Sequence, residues 1–369
     1  MNTILWTLLT ALCFPFLSVA ARLRGHPQTR KILIIQWAKL GDLVCTTPMF
    51  RAIKAAHPDW TVHVLCRARC GGVLRGNPFI DCVIAHGGTR GELVTMLRHE
   101  QYDVVINAVP DAFSALLGIL CSVRMRINTF STARGLLVRW TRIFNTVNIV
   151  YRIGTSTFDH YLSLLQPIGI PAIPYRLDFF PSPEDEVAAR RWMDAAGRRY
   201  AARSFIIFNV SAGNAVKEWP ADKFTQLADT VIDRHGLFVV LSSLDRERID
   251  CIRSSAKHPE KILDASVLTL GQCGALCARA AAFVAVDTGP MYVAYACGAP
   301  IAVLIGGCDP REQIPPEGER VVHVMPPPGC EPWMHVSLSP RTATEEQFNC
   351  IRGTAVEDVT EAVQRLLKK

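Results

Sequence analysis

The sequence predicts an α/β protein with two doubly wound domains, each a parallel β-sheet covered by helices on both faces. The chain has 369 residues, enough for two domains of about 150 residues. Short apolar runs alternate with helical patterns, which is typical of parallel sheets. The apolar run Ser204 to Asn209, with its following turn and helix, repeats the pattern that begins at Lys31 to Gln36. Two such domains facing each other predict a ligand in a central cleft, at the carboxyl ends of the strands.

The proline-rich stretch between Pro167 and Pro183 marks the division between the domains, because its five prolines disfavour helix and central strand. We therefore predict five segments: an N-terminal hydrophobic anchor or signal (1–24), a first Rossmann-like domain (30–175), a linker and helix (176–203), a second Rossmann-like domain (204–350) and a closing helix (351–369).

In the first domain, a buried strand at Lys31 to Gln36 is followed by a glycine turn and a helix over Leu43 to Ala56, with a late start or kink at Pro48. Further strands are predicted at 61–66, 82–85 and 102–108, with a helix near 92–99. In the second domain we expect strands at 204–209, 237–241, 261–263, 283–286, 301–305 and 321–324, and helices at 184–197, 221–235 and 354–367.

The segment FVAVDTGPMYVAYACG, residues 283–298, predicts a strand that ends on a turn and starts a helix. Asp287 or Thr288 suits the helix cap and Pro290 its first turn. The backbone N–H groups at such a helix start lie at the positive end of the helix dipole. The segment therefore predicts a phosphate or nucleotide site.

The net charge of +7 and the pI near 8.8 favour an acidic or phosphorylated partner. Nucleic acid is not expected, because the chain has no basic run interleaved with aromatics, no zinc-finger spacing and no RNP-like segment. An anionic membrane surface is the alternative. The 13 cysteines are scattered without CxxC pairs, which predicts no metal site and no disulfide framework, and indicates a reduced compartment.

The N-terminal segment, residues 3–20, is apolar and long enough to cross or nearly cross a bilayer. Basic residues follow it, which places the remaining chain in the cytoplasm if the segment is an anchor. The rival is a cleaved signal peptide, since Ser18-Val19-Ala20 resembles a cleavage site. No basic residue precedes the apolar part, so we favour the anchor.

The segment ARGLLVRWTRIFN, residues 133–145, has two interpretations. Its apolar residues Leu136, Leu137, Trp140, Ile143 and Phe144 share one helical face. A helix packed on the sheet explains this pattern. A surface resting on lipid headgroups, with Trp140 at the interface and nearby arginines on phosphates, explains it also.

No loop in the chain matches GxGxxG or a P-loop, which argues against NAD binding and ATPase activity. Three segments instead resemble the ADP-heptose:lipopolysaccharide heptosyltransferases of glycosyltransferase family 9. They are KILIIQWAKLGDLVCTTPMFRAIKAAHPDWTVHVLCRARCGGVLRGNPFIDCVI near the start, FNVSAGNAVKEWPADKFTQLADTV in the middle and VDTGPMYVAYACGAPIAVLIGGCDP later. The resemblance extends from Lys31 to the C-terminal helix.

This resemblance implies a GT-B fold with an acceptor-binding first domain and a nucleotide-sugar-binding second domain. It implies a metal-independent inverting transfer that uses no cofactor, with the ADP-sugar as a substrate. The expected acceptor is a lipid-linked saccharide such as the lipopolysaccharide core, and the expected location is the cytoplasmic face of the inner membrane. Two alternatives stay open: another nucleotide sugar such as a UDP-sugar, and a non-catalytic nucleotide-sugar-binding protein.

Two residues are candidate catalytic groups by this resemblance. Asp42, after Gly41, matches the family's catalytic carboxylate, and a base beside the acceptor hydroxyl fits the chemistry. A helix cap is the alternative for Asp42. Lys217 matches a lysine that contacts the donor phosphates and would stabilise the leaving charge. An exposed loop lysine is its alternative.

The remaining candidate binding residues come from loops of the second domain. Ser211, Ala212 and Gly213 match a loop that offers backbone N–H groups to the phosphates, and a simple turn is the alternative. We expect Asp287 to bind a sugar hydroxyl or to order its loop, because its charge repels phosphate. The other candidates are Asp245, Leu268, Thr288, Gly289 and Tyr292, with Leu268 placed under the base or simply in the core.

The chain departs from the family pattern in two places. Family members have His three residues after the glycine of the Asp-Thr-Gly motif, and this chain has Tyr292, which is not a cation at neutral pH. The loop Gly306-Gly-Cys-Asp-Pro310 stands where the family has Gly-Pro-Thr-Asp-Pro. The candidate contacts for acceptor phosphates are arginines of the first domain, Arg67, Arg69, Arg134, Arg139 and Arg142.

Overall fold

The structure is a computed structural model that describes residues 2–23, 30–174, 176–336, 340 and 342–368. The chain divides into two compact units, Met1–Leu177 and Asp178–Lys369. Each unit contains a six-stranded sheet in which all paired strands are parallel. The predicted α/β class with two doubly wound domains is confirmed.

The sheet of the first unit has the order β3-β2-β1-β4-β5-β6. Its strands are β1 (Lys31–Gln36), β2 (Thr61–Arg67), β3 (Cys82–His86), β4 (Val104–Asn107), β5 (Met125–Phe130) and β6 (Val147–Val150). Its helices are α1 (Thr3–Leu23), α2 (Leu40–Cys45), α3 (Thr47–Ala56), α4 (Arg90–His99), α5 (Ser114–Leu120), α6 (Leu136–Thr141) and α7 (Thr157–Ser163). Strand β1 lies at the centre of the sheet, with every residue from Ile32 to Gln36 buried.

The stretch predicted as one helix over Leu43 to Ala56 forms two helices, and of the two alternatives given for Pro48 the structure has the late start. Helix α2 ends at Cys45 and α3 begins at Thr47, with Thr46 between them. Pro48 occupies the first turn of α3, where its missing N–H leaves no intrahelical bond unmade. The proline therefore starts a new helix instead of bending one.

Strands β5 and β6 were missed in the sequence because polar side chains interrupt their apolar runs. Asn107 of β4 donates to the side chain of Asn128 of β5 at 2.8 Å, and Asn128 donates to Asn148 of β6 at 3.0 Å. This asparagine ladder crosses three adjacent strands and satisfies amide groups that an apolar pattern would exclude. The hydrophobic periodicity of both strands is weakened accordingly.

The sheet of the second unit has the order β12-β11-β10-β7-β8-β9. Its strands are β7 (Phe205–Asn209), β8 (Phe238–Ser242), β9 (Ile262–Asp264), β10 (Ala282–Val286), β11 (Ile301–Leu304) and β12 (Val321–Val324). Its helices are α8 (Pro183–Ala195), α9 (Ala221–His235), α10 (Arg246–Ser255), α11 (Leu270–Cys277), α12 (Gly289–Ala296), α13 (Pro310–Gln313), α14 (Glu345–Arg352) and α15 (Val356–Leu367).

The described residues of the proline-rich stretch from 170 to 182 form neither helix nor strand. Pro183 then occupies the first turn of α8, and the Ser182 hydroxyl accepts the Asp185 N–H at 3.1 Å. At the other end of the chain, Val359, Val363 and Leu366 of α15 are buried in the core of the second unit. The second unit is thus closed by its own C-terminal helix.

Arg126 provides a test of how β5 is held in the first unit. Its guanidinium is buried and donates to three backbone carbonyls, those of Phe144 at 2.7 Å, Val123 at 2.5 Å and Arg124 at 3.1 Å. In Arg126→Ala these acceptors lose their donor, and we expect a loss of about 3 kcal/mol in the free energy of unfolding, measured by urea denaturation. The neighbouring exposed residue provides the control Arg124→Ala, and equal losses in both variants would contradict this role.

Candidate active site

Asp42 lies in the first turn of α2, directly after the carboxyl end of β1. Its Oδ2 accepts the backbone N–H of Lys39 at 3.1 Å, so the carboxylate does cap the helix start. Gly41 is buried beside it. The capping geometry fixes the side chain and leaves it half-buried, which is compatible with a second role in proton transfer.

Two residues missed in the sequence analysis surround Asp42. The buried Gln36 side chain donates to the Asp42 main-chain oxygen at 3.5 Å and also hydrogen-bonds to Tyr161 of α7. Burial, the nearby Asp42 charge and the nearby Cys45 thiol raise the pKa of Tyr161, despite the Gln36 bond. Tyr161 is therefore a neutral hydroxyl in the surroundings of the carboxylate.

In the second unit, the polar residues gather where β7, β8 and β10 end. These strands are neighbours in the sheet, in the order β10-β7-β8. Asn209 ends β7, Ser243 follows β8, and Asp287 and Thr288 follow β10. Because parallel strands have their carboxyl ends on the same edge, side chains distant in sequence meet here.

The buried Asp287 carboxylate is the centre of this group. It forms an ion pair with Lys217, while Tyr292 donates to its Oδ1 at 2.9 Å and Gln313 donates to its Oδ2 at 2.6 Å. Only about 5% of the Asp287 side chain is exposed, compared with 15% for Lys217. Asp287 therefore orders its loop and fixes Lys217 in place. Three of the predicted residues, Lys217, Asp287 and Tyr292, are brought together in this group.

Electrostatics keeps this carboxylate charged. Burial by itself would raise the pKa of Asp287, but the charge and hydrogen bond of Lys217, together with the bonds from Tyr292 and Gln313, hold that pKa below its ordinary value of 3.8. A charged Asp287 in turn keeps Lys217 in one position. The Tyr292 hydroxyl is bound to this carboxylate.

The start of α12 is not capped by a side chain. Thr288 is the cap residue, yet its hydroxyl donates to the Asn209 Oδ1 at 2.9 Å instead of accepting a helix N–H. The helix begins at Gly289, followed by Pro290, which has no N–H. The Asn209 bond thus turns the threonine away from the helix end, where the dipole favours an anion.

The loop from Ser211 to Gly213 is fixed by its neighbours. Ser211 and Ser243 share a hydroxyl hydrogen bond of 2.6 Å, and Gly213 is exposed. The Ala212 N–H donates to the Glu218 Oε1 at 3.0 Å, so this amide has an internal partner. Internal hydrogen bonds therefore hold this loop, and at least the Ala212 N–H is used within the protein and not offered to a phosphate.

Two further candidates lie at neighbouring strand ends and have local roles. Asp245 is exposed and caps α10, its Oδ1 accepting the Arg248 N–H at 3.0 Å, and its own N–H donates to Ser243 at 2.9 Å. Leu268 is half-buried between β9 and α11. Neither contacts the Asp287 group through any bond in the described residues.

The arginine candidates of the first unit fall in two places. Arg67 ends β2 and its Nε donates to the Trp37 carbonyl at 2.5 Å, in the loop between β1 and α2, and the exposed Arg69 follows it. Arg134, Arg139 and Arg142 are exposed on the segment containing α6. Only Arg67 is bonded to the loop that precedes Asp42.

Sequence reasoning missed Gln36, Tyr161, Asn209, Ser243 and Gln313. Polar residues that end buried strands, such as Gln36 and Asn209, carry a usable signal, because an amide in that place needs a specific partner. Gln313 lies in a four-residue helix after β11, and no pattern in the chain marks it. Among the described residues, no group of three or more His, Cys, Asp or Glu side chains is arranged to hold a metal ion.

Tyr292 provides a test of the Asp287 group. Because the folded-state pKa of Asp287 is depressed, its contribution to stability is complete above pH 3.8 and is lost as the pH falls through the folded-state value. Tyr292→Phe removes one donor to this carboxylate. We expect the free energy of unfolding to fall by about 1.5–3 kcal/mol near neutral pH, and this loss should become smaller in acid. Thermal unfolding across a pH series measures it.

The matched control is Tyr295→Phe, the same change at a half-buried position of the same helix. It should leave both the stability and its pH dependence close to those of the parent chain. A loss in Tyr292→Phe that stays constant down to acid pH would show that the hydroxyl acts only in packing.

Comparisons with known proteins identify the family. The model of glycosyltransferase family 9 (heptosyltransferase) matches residues 90–338. Lipopolysaccharide heptosyltransferase 3 of Escherichia coli is 25% identical over 282 residues, covering 73% of this chain and 81% of that relative.

Solved structures share the fold over nearly the whole chain. A glycosyl transferase family 9 protein from Veillonella parvula matches with a TM-score of 0.73 and 20% identity, covering 92% of this chain and 97% of the other. The E. coli ADP-heptose lps heptosyltransferase II matches with a TM-score of 0.71 and 22% identity, covering 92% and 98%. The fold class is accordingly GT-B.

The family model covers most of the chain, including Lys217, Asp287 and Tyr292. The resemblance noted in the sequence is confirmed, and the chain belongs to glycosyltransferase family 9, the heptosyltransferase family.

Proposed function

We propose that this protein transfers heptose from ADP-heptose to an acceptor of the lipopolysaccharide core. The family match over residues 90–338 is the observation that carries the proposal. The E. coli relative is named as a lipopolysaccharide heptosyltransferase, and the similar solved structure is that of an ADP-heptose lps heptosyltransferase. The group around Asp287 supports it, because a fixed ammonium beside an uncapped helix start suits a diphosphate.

On the donor side, Lys217 stabilises the leaving diphosphate. An ammonium has three N–H donors, so its bond to Asp287 is compatible with a simultaneous bond to a phosphate oxygen. The ion pair holds the ammonium in place before the donor binds, which reduces the reorganisation needed as charge develops on the leaving group. The start of α12 after Thr288 adds the positive end of a helix dipole.

On the acceptor side, Asp42 acts as the base of an inverting displacement. It takes the proton of the acceptor hydroxyl while that oxygen forms a bond to the anomeric carbon of the donor. The bond from this carbon to the diphosphate oxygen breaks, and the electron pair leaves with ADP. The bond from Lys39 orients the carboxylate, and the reaction as proposed needs neither metal nor cofactor.

We propose that the reaction takes place at the cytoplasmic face of the inner membrane, where a lipid-linked saccharide acceptor is presented. Within the described residues, α1 is the helix that is long and apolar enough to cross a membrane, a criterion based on length and composition alone. The basic first unit supports a location at an anionic surface.

The direct test combines the purified protein with ADP-heptose and lipopolysaccharide that lacks its outer heptoses. We expect release of ADP and a mass increase of one heptose in the acceptor. Calorimetric titration should show binding of ADP in preference to UDP, and a preference for UDP would favour a different nucleotide sugar. ADP binding without transfer or donor hydrolysis would instead indicate a binding protein.

Asp42→Asn separates the base from the helix cap. The amide oxygen of asparagine can still accept the Lys39 N–H, so α2 should remain intact, whereas the amide cannot take a proton. We expect turnover to fall by about 10²–10⁴-fold with unchanged affinity for ADP-heptose. Asp59→Asn, at an exposed position of the same unit, serves as the control, and near-normal turnover in Asp42→Asn would assign Asp42 to capping alone.

A further inference from the structure

Helix α1 packs along the first unit over most of its length. Its inward stripe consists of Trp6, Thr10, Phe14, Leu17 and Ala21, spaced three or four residues apart. Thr10 and Ala21 are fully buried, and the other three pack against the core formed by β1, α4 and α5. From Trp6 to Ala21 the helix extends about 22 Å.

Specific aromatic contacts fix the start and the middle of this stripe. The rings of Trp6 and Phe113 meet edge to face with centroids 5.7 Å apart, and those of Phe14 and Phe144 meet at 5.2 Å. Such pairs add to the stability given by burial alone. Helix α1 is therefore part of the domain and not a free extension of it.

The opposite face of α1 is apolar and exposed. Leu12 is 75% exposed and Phe16 is 80% exposed. The same face carries Ile4, Leu5, Leu8, Leu9, Val19 and Leu23. A continuous apolar face of this size on a soluble protein marks a surface that is covered by something other than water.

The contact between Phe14 and Phe144 brings a second exposed apolar group beside α1. In the segment that contains α6, Leu136 is 70%, Trp140 67% and Ile143 55% exposed. The interpretation of this segment as a helix packed on the sheet was therefore wrong for these three residues. We call the exposed residues of α1 and these three residues together the apolar surface.

The charges in the chain segment that contains α6 are of one sign. Between Asp111 and Asp159 the chain contains six arginines and no acidic residue, and five of the six, all except Arg126, are exposed. Residues 1–177 contain 19 Lys and Arg against 8 Asp and Glu, whereas residues 178–369 contain 21 against 25. A basic surface with Trp140 at its edge is complementary to an anionic layer of lipid headgroups.

We propose that α1 lies in the plane of the membrane surface, packed on the first domain, and that the apolar surface inserts into one leaflet of an anionic bilayer. A helix bound to the domain over about 22 Å cannot also cross the hydrocarbon core, unless the domain enters it or the packing is broken. The proposal rests on the membrane location given above and does not depend on the transfer chemistry.

The first experiment determines the topology of the full chain in cells. An epitope tag is placed before residue 1, and intact spheroplasts are treated with protease. We expect the tag to be protected, and alkaline carbonate to release the protein from isolated membranes. Cleavage of the tag from outside would show a spanning helix, and loss of residues 1–20 from the mature mass would show a signal peptide. Either result overturns the proposal.

The second experiment measures flotation of the purified protein with vesicles of phosphatidylethanolamine containing about a quarter phosphatidylglycerol. We expect Leu12→Glu and Phe16→Glu to weaken binding tenfold or more, with an unchanged melting temperature because both side chains are exposed. Val187→Glu, an exposed apolar position in the second unit, is the matched control and should bind as the parent does.

Electrostatics is tested in the same assay. The double variant Arg139→Glu and Arg142→Glu should bind more weakly, and added salt should reduce the binding of the parent chain. Turnover with a soluble, delipidated acceptor should be unchanged in Leu12→Glu, so failure of this proposal is distinguishable from failure of the proposed reaction. Absence of vesicle binding by the parent, or a dimer that Leu12→Glu dissociates without any effect on lipid binding, would overturn the proposal.

Discussion

The candidate donor site depends on one buried ion pair. Asp287 follows β10 and Lys217 follows β7, so their contact joins two loops that are 70 residues apart in sequence. A buried carboxylate without its cation is strongly destabilising, and the pair is complete only when Tyr292 and Gln313 also bind it. The same contacts that stabilise these loops therefore hold an ammonium group at the strand ends. The residues that stabilise the fold at this point are thus the ones to which the proposed chemistry is assigned.

The sequence predicted the apolar parts of the fold well and the polar parts less well. Strand β1 and helix α9 lie where the hydrophobic pattern placed them, because β1 buries an unbroken apolar run and α9 buries one regular face. Strands β5 and β6 escaped detection since the asparagine ladder replaces apolar residues by amides that satisfy one another. Such partners are distant in sequence, so no local pattern reveals them.

The candidate site shows the same division. Lys217, Asp287 and Tyr292 were found through motifs, but their mutual bonds depend on the order of strands in the sheet. Gln313 was missed because its position comes from the chain path after β11.

The packing of α1 has a consequence for how the first domain is oriented. A flexible tether would let a domain rotate and change its distance from the bilayer, whereas an in-plane helix bound by Trp6 and Phe14 allows neither. With α1 in the proposed in-plane orientation, the carboxyl end of β1, with Asp42, would stay at a constant height above the lipid. Such an enzyme would select acceptors by the length of the saccharide between the lipid and the hydroxyl that reacts.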